Sequence, residues 1–149
     1  SFNLSVASLF RLFNKKFSII ELSSDYEDSS LSYDMKFNMN FNISVRIRKN
    51  NYIQYNDLTI RSKSKNGYKT EIDKIKEGNS QIYFYAYMSN DENSLEKIYI
   101  CDVDSIRNLY KKNKYNQERF NNDGTAFIAF KFKDIEQDSI KNNYFFKKI

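Results

Sequence analysis

Alternation of apolar and polar residues along the chain predicts a protein built largely on β-strands. In the segment NISVRIRK, residues 42–49, apolar side chains at every second position alternate with a serine and two arginines, Arg46 and Arg48. Successive side chains of a strand point to opposite faces, so this pattern indicates one apolar and one charged face. The segments LSYDMKFN, residues 31–38, and DLTIRSK, residues 57–63, alternate in the same way. We therefore expect three strands, each with a polar face.

The polar faces of these three predicted strands carry most of the charge in this part of the chain. The charged residues are Asp34 and Lys36 on the first strand, Arg46 and Arg48 on the second, and Arg61 and Lys63 on the third. If the strands form a meander, residues 32–36, 44–48 and 59–63 lie on one side of one sheet. Arginine binds phosphate oxygens through two parallel hydrogen bonds, so Arg48, Arg61 and Lys63 become candidate nucleic-acid contacts. The alternative interpretation is a solvated sheet face that is charged and binds nothing.

The rest of the chain alternates between predicted helices and strands. Residues 4–14 have apolar residues at helical spacing, and TEIDKIKEG, residues 70–78, contains a capping box of Thr70 and Asp73 with Gly78 as its end. Further strands are predicted at 17–22, 80–88, 96–103, 124–132 and 142–146. Helices are predicted at 104–112, capped by Asp104, and after residue 132. Asn66-Gly67 predicts a turn, and residues 23–30, 89–94 and 112–123 are predicted polar loops.

One domain, residues 1–149, accounts for the whole sequence. A chain of 149 residues is long enough for one hydrophobic core, and no internal repeat or linker divides it. Helices interspersed with strands predict an α/β or α+β fold, with helices flanking a central mixed sheet. Because no stretch of about 20 apolar residues is present, we expect no membrane partner.

Composition narrows the chemistry that this chain can perform. Lys and Arg number 24 against 19 acidic residues, which gives a net charge of +5 and permits an anionic partner. The chain has no His and one cysteine, Cys101, so Ser–His and Cys–His nucleophiles and an intrachain disulfide are excluded. Carboxylates, Lys, Arg, Tyr and Ser remain, together with a hard metal ion held by carboxylates. The abundance of Asn, Lys and Ile without proline is typical of an AT-rich genome.

Two features of the sequence resemble restriction-endonuclease-like proteins. Residues 57–88, DLTIRSKSKNGYKTEIDKIKEGNSQIYFYAYM, are similar to a segment of phage-encoded relatives of restriction endonucleases, in which an Ile-Arg strand end precedes a Thr-Glu-x-x-Lys-Ile helix start and an aromatic strand. The element order of residues 4–110 resembles the PD-(D/E)XK nuclease core, which runs helix, three antiparallel strands, helix, strand. In that core an Asp opens the second strand, where this chain has Asp34, and an acidic-x-Lys triplet lies on the third, where it has Ser44-Val45-Arg46.

The resemblance implies a DNA phosphodiester as substrate, Asp34, Ser44 and Arg46 at the catalytic positions, and Asp34 as ligand of Mg²⁺. The chain departs from the pattern where the chemistry is most demanding. Ser44 replaces a carboxylate, and Arg46 stays protonated and cannot act as a base. Glu21 or Glu27 could supply a second acid by folding back beside Asp34. We therefore expect a weak or inactive Mg²⁺-dependent endonuclease, with no cofactor if it is inactive.

The sequence hypothesis is thus an intracellular DNA-binding protein of a virus or mobile element, in the host cytoplasm or nucleoid, with a restriction-endonuclease-like fold. RNA in place of DNA and homo-oligomerisation stay open. Two other classes also stay open: a structural or assembly subunit that binds only protein, and a component of an organellar ribonucleoprotein. Salt dependence distinguishes nucleic-acid binding from assembly, because phosphate binding releases counterions.

Several other residues have simpler local interpretations. Thr70, Glu71 and Lys74 are explained by a helix cap and an ion pair between residues three apart. Cys101 is expected to be a small buried hydrophobic residue. The tyrosines at positions 83, 85 and 87 are expected in the core or an interface rather than in a base-stacking platform.

Overall fold

A computed structural model of the chain describes residues 19–22, 35–37 and 42–149. The strands are β1 (Ile19–Leu22), β2 (Met35–Phe37), β3 (Asn42–Arg48), β4 (Asp57–Lys63), β5 (Ile82–Met88), β6 (Leu95–Asp102), β7 (Asn116–Phe120), β8 (Ala126–Lys131) and β9 (Phe146–Lys148). The helices are a 3-10 helix (Asn50–Tyr55), α1 (Glu71–Glu77), α2 (Val103–Lys111) and α3 (Phe132–Asn142). The fold is therefore mixed α/β, with two sheets.

The large sheet has the strand order β1-β2-β3-β5-β6-β9. Its neighbouring strands are antiparallel except β3 and β5, which run parallel with Arg46 aligned to Tyr85 and Arg48 to Tyr87. Parallel neighbours require a crossover connection, and here it contains the 3-10 helix, β4 and α1. The predicted central mixed sheet is thus confirmed.

The small sheet has the order β4-β8-β7, and it corrects the expectation of a single charged sheet face. Residues 44–48 lie in the large sheet, whereas residues 59–63 pair with β8 in the small one. The 3-10 helix after β3 and the left-handed backbone of Asn56 (φ 49°) turn the chain away from the large sheet. Local alternation identifies a strand but not its partner, so the meander interpretation was wrong for β4.

Strand β5 is covered on both faces, as its two apolar faces predicted. Tyr83, Tyr85 and Tyr87 lie in the main core with residues of both sheets and all three α-helices. Phe84 and Ala86 lie on the opposite face with Ile43 of β3 and part of β6. The main core unites the two sheets and the helices into one small domain, and it also contains the fully buried Cys101.

Helix α1 has the termini that its sequence predicts. The Thr70 hydroxyl accepts a hydrogen bond from the Asp73 amide at 3.4 Å, and the Asp73 carboxylate accepts one from the Thr70 amide at 3.0 Å. Gly78 ends the helix with φ 81°, a left-handed conformation that glycine adopts without steric cost. These signals act within one or two turns, so tertiary packing does not override them.

Other boundaries differ from the sequence expectations. The predicted loop 112–123 contains strand β7, whose pairing with β8 compensates for its polar composition. Helix α2 is capped by Asp102, which accepts from the Asp104 amide at 2.9 Å, rather than by Asp104. The predicted helix at 4–14, the acidic loop with Glu27, and Asp34 lie outside the described residues. No helix in the described ranges is both long enough and apolar enough to cross a bilayer.

Candidate nucleic-acid interface

The predicted catalytic residues on β3, Ser44 and Arg46, form hydrogen bonds with other protein groups. Ser44 is buried, and its hydroxyl donates to the hydroxyl of Ser80 at 3.0 Å. Arg46 lies next along the same face, since alternate residues of a strand share a face. Asp34 lies outside the described residues, so its position relative to Arg46 stays a prediction.

Arg46 forms an ion pair with Glu71, the first residue of α1. Its Nη1 lies 2.5 Å from Glu71 Oε2 and also donates to the carbonyl of Thr59 at 3.2 Å. The other oxygen of Glu71 accepts a hydrogen bond from the buried Tyr83 hydroxyl. Burial disfavours the charge of Arg46, but the Glu71 carboxylate and Tyr83 outweigh it, so the pKa of the guanidinium is raised. Glu71 therefore has long-range partners that a local helix cap does not explain.

The free edge of β4 is covered by side chains from the large sheet and α1. Four hydrogen bonds reach its backbone: Tyr87 Oη to Asp57 O (2.7 Å), Thr59 N to Tyr85 Oη (3.4 Å), Arg46 Nη1 to Thr59 O (3.2 Å) and Arg61 N to Glu71 Oε2 (3.1 Å). An unpaired strand edge carries amide and carbonyl groups that need partners. The polar face of β3 and the tyrosines of β5 thus join the two sheets.

The predicted Mg²⁺ ligand, Asp34, lies outside the described residues, and its described neighbours Ser44 and Arg46 supply no carboxylate. Ions such as Mg²⁺ need several oxygen ligands, preferably carboxylates. Ser44 contributes a neutral hydroxyl that already bonds Ser80, and Arg46 contributes a positive charge held by Glu71. Within residues 42–149 and the two short strands before them, no three acidic or cysteine side chains are grouped as a metal site.

A different group of cations lies on the small sheet. Arg61 of β4 and Arg119 of β7 are both aligned with Phe127 of β8, one from each side. Cross-strand partners share a face, so both guanidinium groups belong to the face that carries Phe127. Lys131, four residues along β8 and paired with Asp57, lies on that same face. We call this surface, with Arg61, Arg119 and Lys131, the basic face.

The basic face points away from the core. The alternate residues of the small sheet, which point the other way, lie in the main core: Leu58, Ile60, Ile128 and Phe130. Arg61 and Arg119 are exposed, and Phe127 and Lys131 are half-buried. Cations of β4, β7 and β8 are therefore presented to solvent around one partly exposed aromatic ring.

Arg48 of the large sheet extends the basic face at its Asp57 end. Its Nη1 donates to the Thr59 hydroxyl at 2.7 Å, and its guanidinium lies 4.3 Å from the centre of the Tyr52 ring. Burial raises the pKa of the Asp57 carboxyl, and the positive charges of Lys131, Arg48 and Arg119 counteract that rise. The hydrogen bond to Thr59 places Arg48 beside β4, and its charge acts on Asp57 together with those of Lys131 and Arg119.

Among the residues that the structure describes, no carboxylate lies within 4.0 Å of a cation of the basic face. Ion pairs within 4.0 Å occur elsewhere among the described residues, at Arg46, Lys49, Lys69, Lys76, Arg107 and Lys112. None of these ion pairs includes Arg48, Arg61, Arg119 or Lys131.

Lys63, the remaining predicted nucleic-acid contact, is separated from Arg61 by a β-bulge. Its ammonium lies 5.5 Å from the centre of the Phe120 ring.

The sequence interpretation did not include Arg119, Lys131 or the long-range role of Glu71. Arg119 lies in the segment that was expected to be a loop, and only the pairing of β7 with β8 brings it beside Phe127. The sequence contained a signal for Lys131, because Phe127, Ala129 and Lys131 continue one alternating face to the end of β8.

Comparisons with known protein families and with characterised proteins find no match to this chain.

Proposed function

We propose that this protein binds nucleic acid, in the first place DNA, through the basic face of the small sheet. The observation that carries the proposal is the grouping of Arg61, Arg119 and Lys131 on the outward face of the small sheet, with Arg48 bonded to Thr59 beside them. Cations without acidic partners attract phosphates, and each phosphate that they neutralise releases counterions from the nucleic acid. Arginine also presents a planar fork that fits two phosphate oxygens.

The contacts of Arg48 support the proposal further. Its hydrogen bond to Thr59 and its stacking on Tyr52 restrict the guanidinium before any ligand arrives. A side chain that is already ordered loses less conformational entropy on binding. Arg46 has a different role, because its charge is balanced by Glu71 at the junction of the two sheets.

The order of strands supports a restriction-endonuclease-like core as part of this proposal. Strands β1, β2 and β3 are antiparallel neighbours, and after α1 the chain enters β5, which pairs with β3. This agrees with three antiparallel strands followed by a helix and another strand, with β4 inserted before the helix. Since Ser44 and Arg46 do not supply metal ligands, we expect a binding protein that cleaves slowly or not at all.

The test is fluorescence anisotropy with a labelled DNA oligonucleotide at several salt concentrations. We expect affinity to fall steeply as salt rises, and the double substitution Arg61→Gln and Arg119→Gln to reduce both the affinity and the salt slope. The matched control is Lys111→Gln with Lys141→Gln. It removes the same net charge from exposed positions on α2 and α3, the helices that pack in the main core on the other side of the small sheet.

The control separates specific use of the basic face from overall charge. Equal losses in both double variants would mean that net charge, not this surface, governs binding. Absence of salt-dependent binding by the unmodified protein would refute the proposal and leave an assembly role as the better hypothesis.

A further inference from the structure

Exposed aromatic rings adjoin the basic face. Tyr52 and Tyr55 of the 3-10 helix are 40% and 50% exposed, although large aromatic side chains are usually buried more deeply. Tyr52 lies under the guanidinium of Arg48, and the carbonyl of Tyr55 accepts from Lys131 Nζ at 3.5 Å. Both tyrosines are therefore next to cations of the proposed phosphate-binding surface.

Aromatic and basic groups follow one another across this surface. The two tyrosines stand at one end with Arg48 and Lys131, and the ring of Phe127 lies four residues along β8, between Arg61 and Arg119. At about 3.3 Å per strand residue, these two ends are roughly 13 Å apart. Proteins that bind single strands combine cations along the backbone with aromatic rings on which the bases stack.

We propose that the basic face takes a single-stranded nucleic acid, with unpaired bases stacked on Tyr52 and Tyr55 and phosphates on the neighbouring cations. This inference rests on the proposed function and specifies its ligand. The bases of a duplex are already stacked on each other, so exposed rings beside the sheet contribute little to duplex binding. The α-helices, the usual elements for reading a major groove, contribute to the core on the other side of the small sheet.

The first test compares an oligo-dT single strand, an oligo-U single strand and a DNA duplex of equal length by anisotropy. We expect tighter binding of single strands than of the duplex. Replacing both Tyr52 and Tyr55 by Leu should weaken single-strand binding roughly ten- to a hundred-fold, because each stacked base contributes appreciably to affinity. The salt slope should stay nearly unchanged, since no cation is removed and the hydrogen bond to Thr59 still holds Arg48. Tyr68→Leu, at a 73% exposed position in the loop between β4 and α1, is the matched control.

A second readout uses the absence of tryptophan from the chain. The single substitution Tyr52→Trp introduces one fluorophore at the proposed stacking position, and oligo-dT should quench it while the duplex should not. Comparison of binding to oligo-dT with binding to oligo-U then shows whether the protein prefers single-stranded DNA or single-stranded RNA.

The outcomes separate this inference from the proposed function. If the duplex binds as tightly as the single strands, or if the double Leu variant binds like the unmodified protein, stacking is refuted while the basic face stands. If none of the three ligands binds in a salt-dependent way, both proposals fail.

Discussion

Glu71→Ala is expected to weaken the junction between the two sheets. Glu71 is the common acceptor for the Arg46 guanidinium, the Tyr83 hydroxyl and the backbone amide of Arg61. Arg46 and Glu71 are 25 residues apart in the sequence, and their ion pair links β3 to the start of α1. Removal of the carboxylate leaves three donors without this acceptor, one of them on a fully buried tyrosine.

The expected loss follows from burial. A buried donor without an acceptor costs about 1–3 kcal/mol, and loss of one partner of a buried ion pair costs about 3–5 kcal/mol. The side chains of Arg46 and Glu71 are 27% and 21% exposed, so water replaces part of the interaction. We therefore expect a loss of about 2–4 kcal/mol for Glu71→Ala. Glu71→Gln keeps a neutral acceptor and should lose about 1–2 kcal/mol.

The measurement is urea unfolding followed by far-UV circular dichroism, with thermal unfolding as a second readout. For a domain of this size, the expected loss corresponds to a decrease in Tm of roughly 4–16 °C. Glu77→Ala is the matched control, because Glu77 lies on the same helix and pairs with Lys69 at 2.6 Å at the surface. A pair of exposed side chains is screened by solvent, so this variant should change stability little.

A double-mutant cycle isolates the pair itself. Arg46→Met combined with Glu71→Ala should lose less stability than the sum of the single losses, because neither charge is then left without its partner. Additive losses, or a Glu71→Ala variant as stable as Glu77→Ala, would refute the idea that this ion pair joins the sheets.

Three further predictions concern single acidic residues. Asp57→Asn should tighten binding of nucleic acid. Burial raises the pKa of the Asp57 carboxyl, so its ionisation makes the unmodified protein less stable as pH rises from about 4 through the raised pKa. Unfolding measured at several pH values should lack that loss of stability in the variant. Asp102→Ala should lower the free energy of unfolding in urea by about 0.5–2 kcal/mol, because Asp102 caps α2. Asp104→Ala should lower it less, and the reverse order would contradict this assignment of the cap. Plasmid DNA should remain uncut in Mg²⁺ or Mn²⁺, whereas nicking that disappears in Asp34→Ala would show an active nuclease.

Local patterns in the sequence determined the individual elements. The alternation at residues 42–49 and 57–63 corresponds to β3 and β4, and the capping box of Thr70 with Asp73 begins α1 as predicted. Such signals depend on side chains a few residues apart, and a strand face or a helix cap forms in the same way in many folds. The burial of the β5 tyrosines could also be read from its two apolar faces.

Tertiary structure decided how those elements combine. The pairing of β4 with β8 joins residues about seventy positions apart, and no local pattern specifies it. That pairing separates Arg61 from the sheet of Arg46, brings Arg119 and Lys131 to the same face, and leaves the edge of β4 to be covered by side chains. Local alternation of apolar and polar residues was enough to predict charged strand faces. Long-range packing made Arg46 join the two sheets and left Arg61 and Arg119 exposed, because hydrogen-bond partners and burial depend on the whole fold.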